Sequence, residues 1–215
     1  MKSPRKNIIA IFVVVVTVAL ILAGRLALPY LHKKPVEIEN PERVKGNPQA
    51  SMKIVEYIDF QCPACAMGSQ FLKEAIDQYP SQIFLEMKYF PLPMHTHAYT
   101  AARYAECAAR EKKFWPFQDL LIARQDQWKR LIDATPAFVQ MAQEIGLNVD
   151  QITSCVKEES VTTTIINDKA EGDKRGVKST PTYFVNDEMI VGAPDLIKRI
   201  NKNIGPVVQS APNPL

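Results

Sequence analysis

Ile54-Val55-Glu56-Tyr57-Ile58-Asp59-Phe60 runs straight into Gln61-Cys62-Pro63-Ala64-Cys65, and this junction decides the fold. The first seven residues are rich in β-branched and aromatic types, at the length of a strand. Two cysteines three apart at the start of a helix put both sulfurs on one side of its first turn, close enough to bond. Pro63 suits the first helical position, where its fixed φ is helical and its missing N–H costs nothing. Cys62 then sits where unpaired N–H groups and the positive end of the helix dipole stabilise a thiolate. A stabilised thiolate is both nucleophile and leaving group, so Cys62 is expected to be the reactive, more exposed thiol and Cys65 the buried, resolving one.

Beyond Cys65 the apolar positions Met67, Phe71, Leu72, Ala75, Ile76 and Tyr79 follow helical spacing up to Pro80. Ile83 to Phe90 reads as a second strand, so strand, helix and strand form a βαβ unit. A helical block follows over 98–109, 114–125 and 136–145, with a short turn around Ile152 to Val156 and a helix over 160–174. Strands return at 182–185 and 189–191 across the turn Asn186-Asp187, and a last helix covers 195–204. The reading is α/β, a small sheet with a helical block inserted in its middle.

Charge and hydropathy divide the chain. Residues 1–34 carry six basic residues and no acidic one, which leaves 20 basic against 23 acidic residues in 35–215, a net of −3. That balance argues against nucleic acid as a partner. Ile8 to Gly24 is 17 uncharged residues, long enough as a helix to span roughly 26 Å. Lys2, Arg5 and Lys6 precede it, so the N-terminus is expected in the cytoplasm and the rest outside. A cleaved signal peptide is the rival, but Leu22-Ala23-Gly24-Arg25 offers no clear cleavage site, and an uncleaved transmembrane or signal-anchor helix is the expectation. Residues 1–24 are thus tip and anchor, 25–50 a linker, 51–94 with 176–204 the main domain, 95–175 the inserted subdomain, and 205–215 an unstructured tail.

Other uses of the cysteines fit less well. A zinc knuckle needs a second ligand pair, and Cys107 and Cys155 are single and far apart. A c-type haem site needs histidine where Ala66 stands. A purely structural link between Cys62 and Cys65 closes too short a loop to stabilise much. His95 and His97, after Pro91 and Pro93, are read as structural or solvated rather than metal-binding; no metal site is expected.

Three stretches together resemble the DsbA-like family of thioredoxin-fold thiol:disulfide oxidoreductases: Gly46-Asn47-Pro48 through Cys65; Ala105-Glu106-Cys107-Ala108 with Phe114-Trp115; and Gly176-Val177 with Ser179-Thr180-Pro181-Thr182-Tyr183-Phe184-Val185. The likeness covers about residues 45–203. It implies a thioredoxin fold with one inserted helical subdomain and a redox-active disulfide as the only cofactor. It assigns Thr180-Pro181 to a cis-proline loop that faces the cysteines and binds substrate backbone. It makes Glu56 a buried acid assisting proton transfer at Cys65, and Lys88 its ionic partner; the other reading leaves both in solvent at a sheet edge. Ala64 departs from the best-known member, which has histidine there, and one source of thiolate stabilisation is missing. Some relatives carry a second disulfide, and two buried cysteines in an oxidising compartment tend to pair. Cys107–Cys155 is the expected pair, against two free buried thiols.

The function expected is an oxidase of the cell envelope, anchored in the membrane with its globular part on the periplasmic side. Its substrates would be reduced or unfolded exported proteins, and the resemblance implies a quinone-linked membrane partner that reoxidises it. A reductase or isomerase, or a chaperone or binding module that kept the fold without turnover, are the alternatives.

Overall fold

The computed structural model describes residues 14–18 and 41–209. Among them no helix is long and apolar enough to cross a membrane. Val14–Val18 is helical, and the rest of the anchor expected over Ile8–Gly24 lies outside the described residues.

The described residues 41–209 form one compact unit. A 3-10 turn, Pro41–Arg43, leads into β1 (Val44–Gly46), β2 (Met52–Ile58), α1 (Pro63–Gln78) and β3 (Ile83–Tyr89). The inserted helices are α2 (Ala98–Arg110), α3 (Phe114–Ala123), α4 (Gln125–Trp128), α5 (Thr135–Glu144), α6 (Val149–Cys155) and α7 (Glu159–Lys174). β4 (Thr182–Val185), β5 (Glu188–Val191) and α8 (Ala193–Asn203) complete the fold.

The five strands lie in the order β1-β3-β2-β4-β5. β2 and β3 are parallel, as their helical crossover requires, and the other pairings are antiparallel. One face of the sheet packs Ile54, Leu85, Tyr183 and Val185 against Phe71, Leu72 and Ala75 of α1 and Leu196 and Ile200 of α8. On the other, Tyr57, Phe90, Val177 and Phe184 form a smaller apolar layer that α7 approaches closely. A Cβ on Gly172 would come within 2.8 Å of the Phe90 ring, and one on Gly68 within 2.0 Å of the Tyr183 hydroxyl. Glycine at these two places lets α7 and α1 lie against the sheet.

Two boundaries differ from the sequence reading. The stretch 25–50, expected as a linker, supplies β1 and the wholly buried Arg43. Arg43 bonds Asp168 at 2.5 Å, lies 3.7 Å from Glu106 and stacks 4.3 Å above the Tyr89 ring. An arginine amid prolines and charges reads as solvated; only α2, α7 and β3 converging on it make it a core residue. The tail, expected free from 205, is held at its start: Tyr79 Oη donates to Pro206 O at 3.0 Å, and Gln78 exchanges two bonds with Val208.

The insert is sewn to the sheet. Ile58, Phe60, Met87 and Tyr89 share one apolar cluster with Phe114, Phe117, Trp128 and Phe138. Cys107 and Cys155 are disulfide-bonded, with Cα atoms 6.0 Å apart, and tie α2 to α6.

Candidate active site

β2 ends at Ile58 and α1 begins at Pro63; the turn between them carries Cys62 as the helix N-cap, with extended backbone (φ −75°, ψ 122°). The Cys62 carbonyl accepts the first helical bonds, from Cys65 N at 3.1 Å and Ala66 N at 3.2 Å. Both cysteines are free thiols. Cys62 is 8% exposed and Cys65 0%, so an incoming sulfur reaches Cys62 first. Pro63 is exposed and Ala64 half-buried against the insert's core.

The Cys62 thiol is held down at about 5. The Cys65 thiol hydrogen-bonds it; burial opposes; the Cys65 N–H, the Thr180 side chain and the Ala64 N–H add to the stabilisation. Without a histidine at position 64, the helix N-terminus and the neighbouring thiol supply the effect. Burial, together with the Cys62 sulfur, pushes Cys65 well above its usual value.

Across from the cysteines the Thr180–Pro181 peptide is cis. Cys62 Sγ lies 3.3 Å from the Thr180 carbonyl oxygen, to which the thiol donates. The loop is held by Gly192 N donating to Pro181 O at 2.9 Å and Thr182 Oγ1 to Ser179 O at 2.7 Å.

Glu56 is fully buried on the central strand, facing α1. Burial pushes its carboxyl up to about 8, and the hydroxyls of Tyr183 and Ser69 pull it part of the way back. Its charge in turn acts on Cys65. A small cavity borders Glu56, with Ser69 and Gln118 on its wall and Lys73 and Asp119 lining it farther out; Lys73 and Asp119 form an exposed ion pair.

Lys88 is not the partner of Glu56. In the parallel register Glu56 stands opposite Met87, and Lys88 opposite Tyr57, which puts Lys88 on the other face of the sheet. There its ammonium pairs with Glu171 and lies 3.8 Å from Glu86. Nor is either residue in solvent: Glu56 and Lys88 are both buried.

Several site residues escaped the sequence reading. Gln125, buried at the start of α4, donates to Phe60 O at 2.8 Å and Cys62 O at 3.0 Å, and so clamps the cysteine turn from the insert. Gln61 donates to Lys129 O and accepts from His97 N. No spacing in the sequence marks these contacts. Tyr183 was within reach: two residues after Pro181 in a strand, alternation places it on the same face as Val185. His95 and His97 do not share a ligand site: His95 Nδ1 lies 2.7 Å from Asp59 Oδ2, and His97 Nε2 2.7 Å from Leu131 O.

Residues 39–204 match the family described as Thioredoxin. Among solved structures, a thioredoxin-like oxidoreductase from Silicibacter pomeroyi DSS-3 is 25% identical, with a TM-score of 0.62 over 77% of this chain and 95% of that one. DsbA2 of Pseudomonas aeruginosa is 24% identical, with a TM-score of 0.61 over 76% and 96%. BdbD of Bacillus subtilis is 19% identical, with a TM-score of 0.64 over 74% and 91%. Curated relatives include the Na(+)/H(+) antiporter NhaA 3 of Salinispora tropica, 32% identical over 151 residues. The match covers 68% of this chain but 22% of that protein, so the chain spans about a fifth of the length of that relative.

Proposed function

Given that the chain belongs to the thioredoxin family, we propose that it is an extracytoplasmic protein thiol:disulfide oxidoreductase that works as an oxidase on exported proteins. One observation carries the reading: a thiol at about 5 stands at a helix N-terminus against a cis-proline loop, with its buried partner behind it. A sulfur so stabilised favours the reduced form, because its charge is present only when the disulfide is open. The disulfide is therefore readily handed on.

In the oxidase direction a substrate thiolate attacks Cys62 Sγ of the Cys62–Cys65 disulfide. The new bond joins substrate sulfur to Cys62, and the Cys62–Cys65 bond breaks with its electron pair leaving on Cys65. Glu56, whose carboxyl holds a proton at neutral pH, supplies it to that sulfur. The substrate's second thiolate attacks the mixed disulfide, and Cys62 leaves as a stable thiolate. Thr180 and Pro181 line the path on which the substrate chain lies. Reoxidation needs an electron acceptor, which we assign to a quinone-linked membrane partner beside the anchor.

The test is oxidation of a reduced two-cysteine peptide by the wild-type chain and by Cys62→Ser, with the reduction potential measured against glutathione. Catalysis lost in Cys62→Ser and an oxidising potential support the proposal. A strongly reducing potential converts the reading to a reductase, and activity that survives Cys62→Ser converts it to a binding module.

A further inference from the structure

Asp59 touches both cysteines through its main chain and the rest of the site through its side chain. Its N–H donates to Cys65 Sγ at 3.5 Å, and its carbonyl accepts from Cys62 N at 3.1 Å. Its carboxylate is wholly enclosed and accepts three bonds: from Gln61 N at 2.8 Å, from Leu92 N at 2.8 Å and from His95 Nδ1 at 2.7 Å. Buried carboxylates are kept where such donors satisfy them. These three come from the redox turn and from the loop after β3, so one side chain joins the two loops beneath Cys65.

We infer that Asp59 and His95 are positioning residues that aim the Asp59 N–H at the sulfur of Cys65, so that this amide stabilises the thiolate released when the Cys62–Cys65 disulfide opens. This rests on the thiol-exchange reading above. When an external thiolate bonds to Cys62 Sγ, the breaking bond leaves its electron pair on Cys65 Sγ, inside the protein and away from water. The Asp59 amide is a main-chain donor within reach of that charge. The turn carrying it is held from below by the carboxylate, and the carboxylate from outside by His95, whose side chain is partly exposed.

The full chain in its oxidised form is mixed with excess reduced glutathione. Mixed disulfide at Cys62 is followed by acid quench, alkylation and mass measurement. His95→Phe removes the donor to Asp59 and is expected to slow opening about fivefold, the worth of one hydrogen bond felt in the transition state. His95→Asn places an amide N–H where Nδ1 stood and is expected to restore the rate. Capture of Cys62 by iodoacetamide in the reduced His95→Phe protein is expected at the wild-type rate, because the brace acts on the other sulfur. Asp59→Asn loses an acceptor for main-chain donors as well and is expected to be slower still; the His95 pair carries the test if that variant does not fold. A wild-type chain inert to glutathione overturns the exchange reading and this inference with it. A reactive wild type overturns this inference alone if His95→Phe opens at the wild-type rate, if His95→Asn is as slow as His95→Phe, or if iodoacetamide capture falls in step with opening.

Discussion

Glu56 and Lys88 lie one register step apart on neighbouring central strands and face opposite sides of the sheet. Each therefore meets a different environment. Lys88 finds the carboxylates of Glu171 and Glu86 under α7. Glu56 meets the hydroxyls of Ser69 and Tyr183 and no cation among its perturbing neighbours. The Glu56 carboxyl is thus kept protonated by burial, not ionised by a lysine.

Glu56→Gln is expected to stabilise the protein and slow it. With the folded carboxyl at about 8 and its ordinary value at 4.5, the unfolded chain loses its proton first as pH rises. Wild-type stability should fall between these values and level off above them, with a loss of about 3 kcal/mol by pH 7. The glutamine variant should lack this slope and be the more stable protein at pH 8. Its disulfide exchange should drop about tenfold or more for want of the proton donor. Urea titrations from pH 4 to 9 and stopped-flow exchange rates check both halves.

The reduced protein is expected to outlast the oxidised one in denaturant, by a margin that depends on pH. Cys62 sits at about 5 in the folded dithiol against an ordinary value of 9.0. A depressed thiol contributes stability that is complete above 9 and lost as pH falls through 5. The margin should widen over that window by at most about 1.4 kcal/mol per pH unit. Absorbance of the thiolate at 240 nm should place the Cys62 titration near 5; a midpoint near 9 refutes the stabilised thiolate.

Arg43→Leu should be among the most costly single changes in the chain. It leaves Asp168 enclosed without its cation and Glu106 with Arg110 alone, 3.5 Å away, and breaking a buried pair from one side costs about 3–5 kcal/mol. Burial already pushes the Glu106 carboxyl up, so the variant should recover part of the loss in acid, where Glu106 takes up a proton. Thermal melts of wild type and Arg43→Leu at pH 7 and pH 4.5 show this as a narrowing gap.

Replacing Cys107 and Cys155 together by alanine should weaken the fold without touching the chemistry. The link closes a separation of 48 residues, for which chain entropy predicts roughly 4 kcal/mol. Urea unfolding should record a loss of about 2–4 kcal/mol, while iodoacetamide should still capture Cys62 at the wild-type rate. A changed Cys62 rate would mean that the insert transmits strain to the redox turn.

What could be read from the sequence was local. Cys62-Pro63-Ala64-Cys65 carries its own chemistry, because a strand-to-helix turn orients amides and sulfurs wherever it occurs. Thr182–Val185 and Glu188–Val191 were legible from residue type and from the Asn186-Asp187 turn between them. Pro181 before a strand was a turn signal whose facing contact, Cys62, lies 118 residues away from Thr180.

The sequence by itself determined which residues would carry the proposed redox chemistry and which elements present them, because spacing and backbone preference act over a few residues. Only the tertiary structure decided what surrounds those residues. The pairing of β2 with β3 put Lys88 on the far face from Glu56, since a shift of one residue between strands exchanges the two faces. The return of the insert brought Gln125 onto the Cys62 carbonyl, and three separate elements closed around Arg43. Burial and partner choice arise where distant segments meet, and no stretch of sequence holds both sides of such a contact.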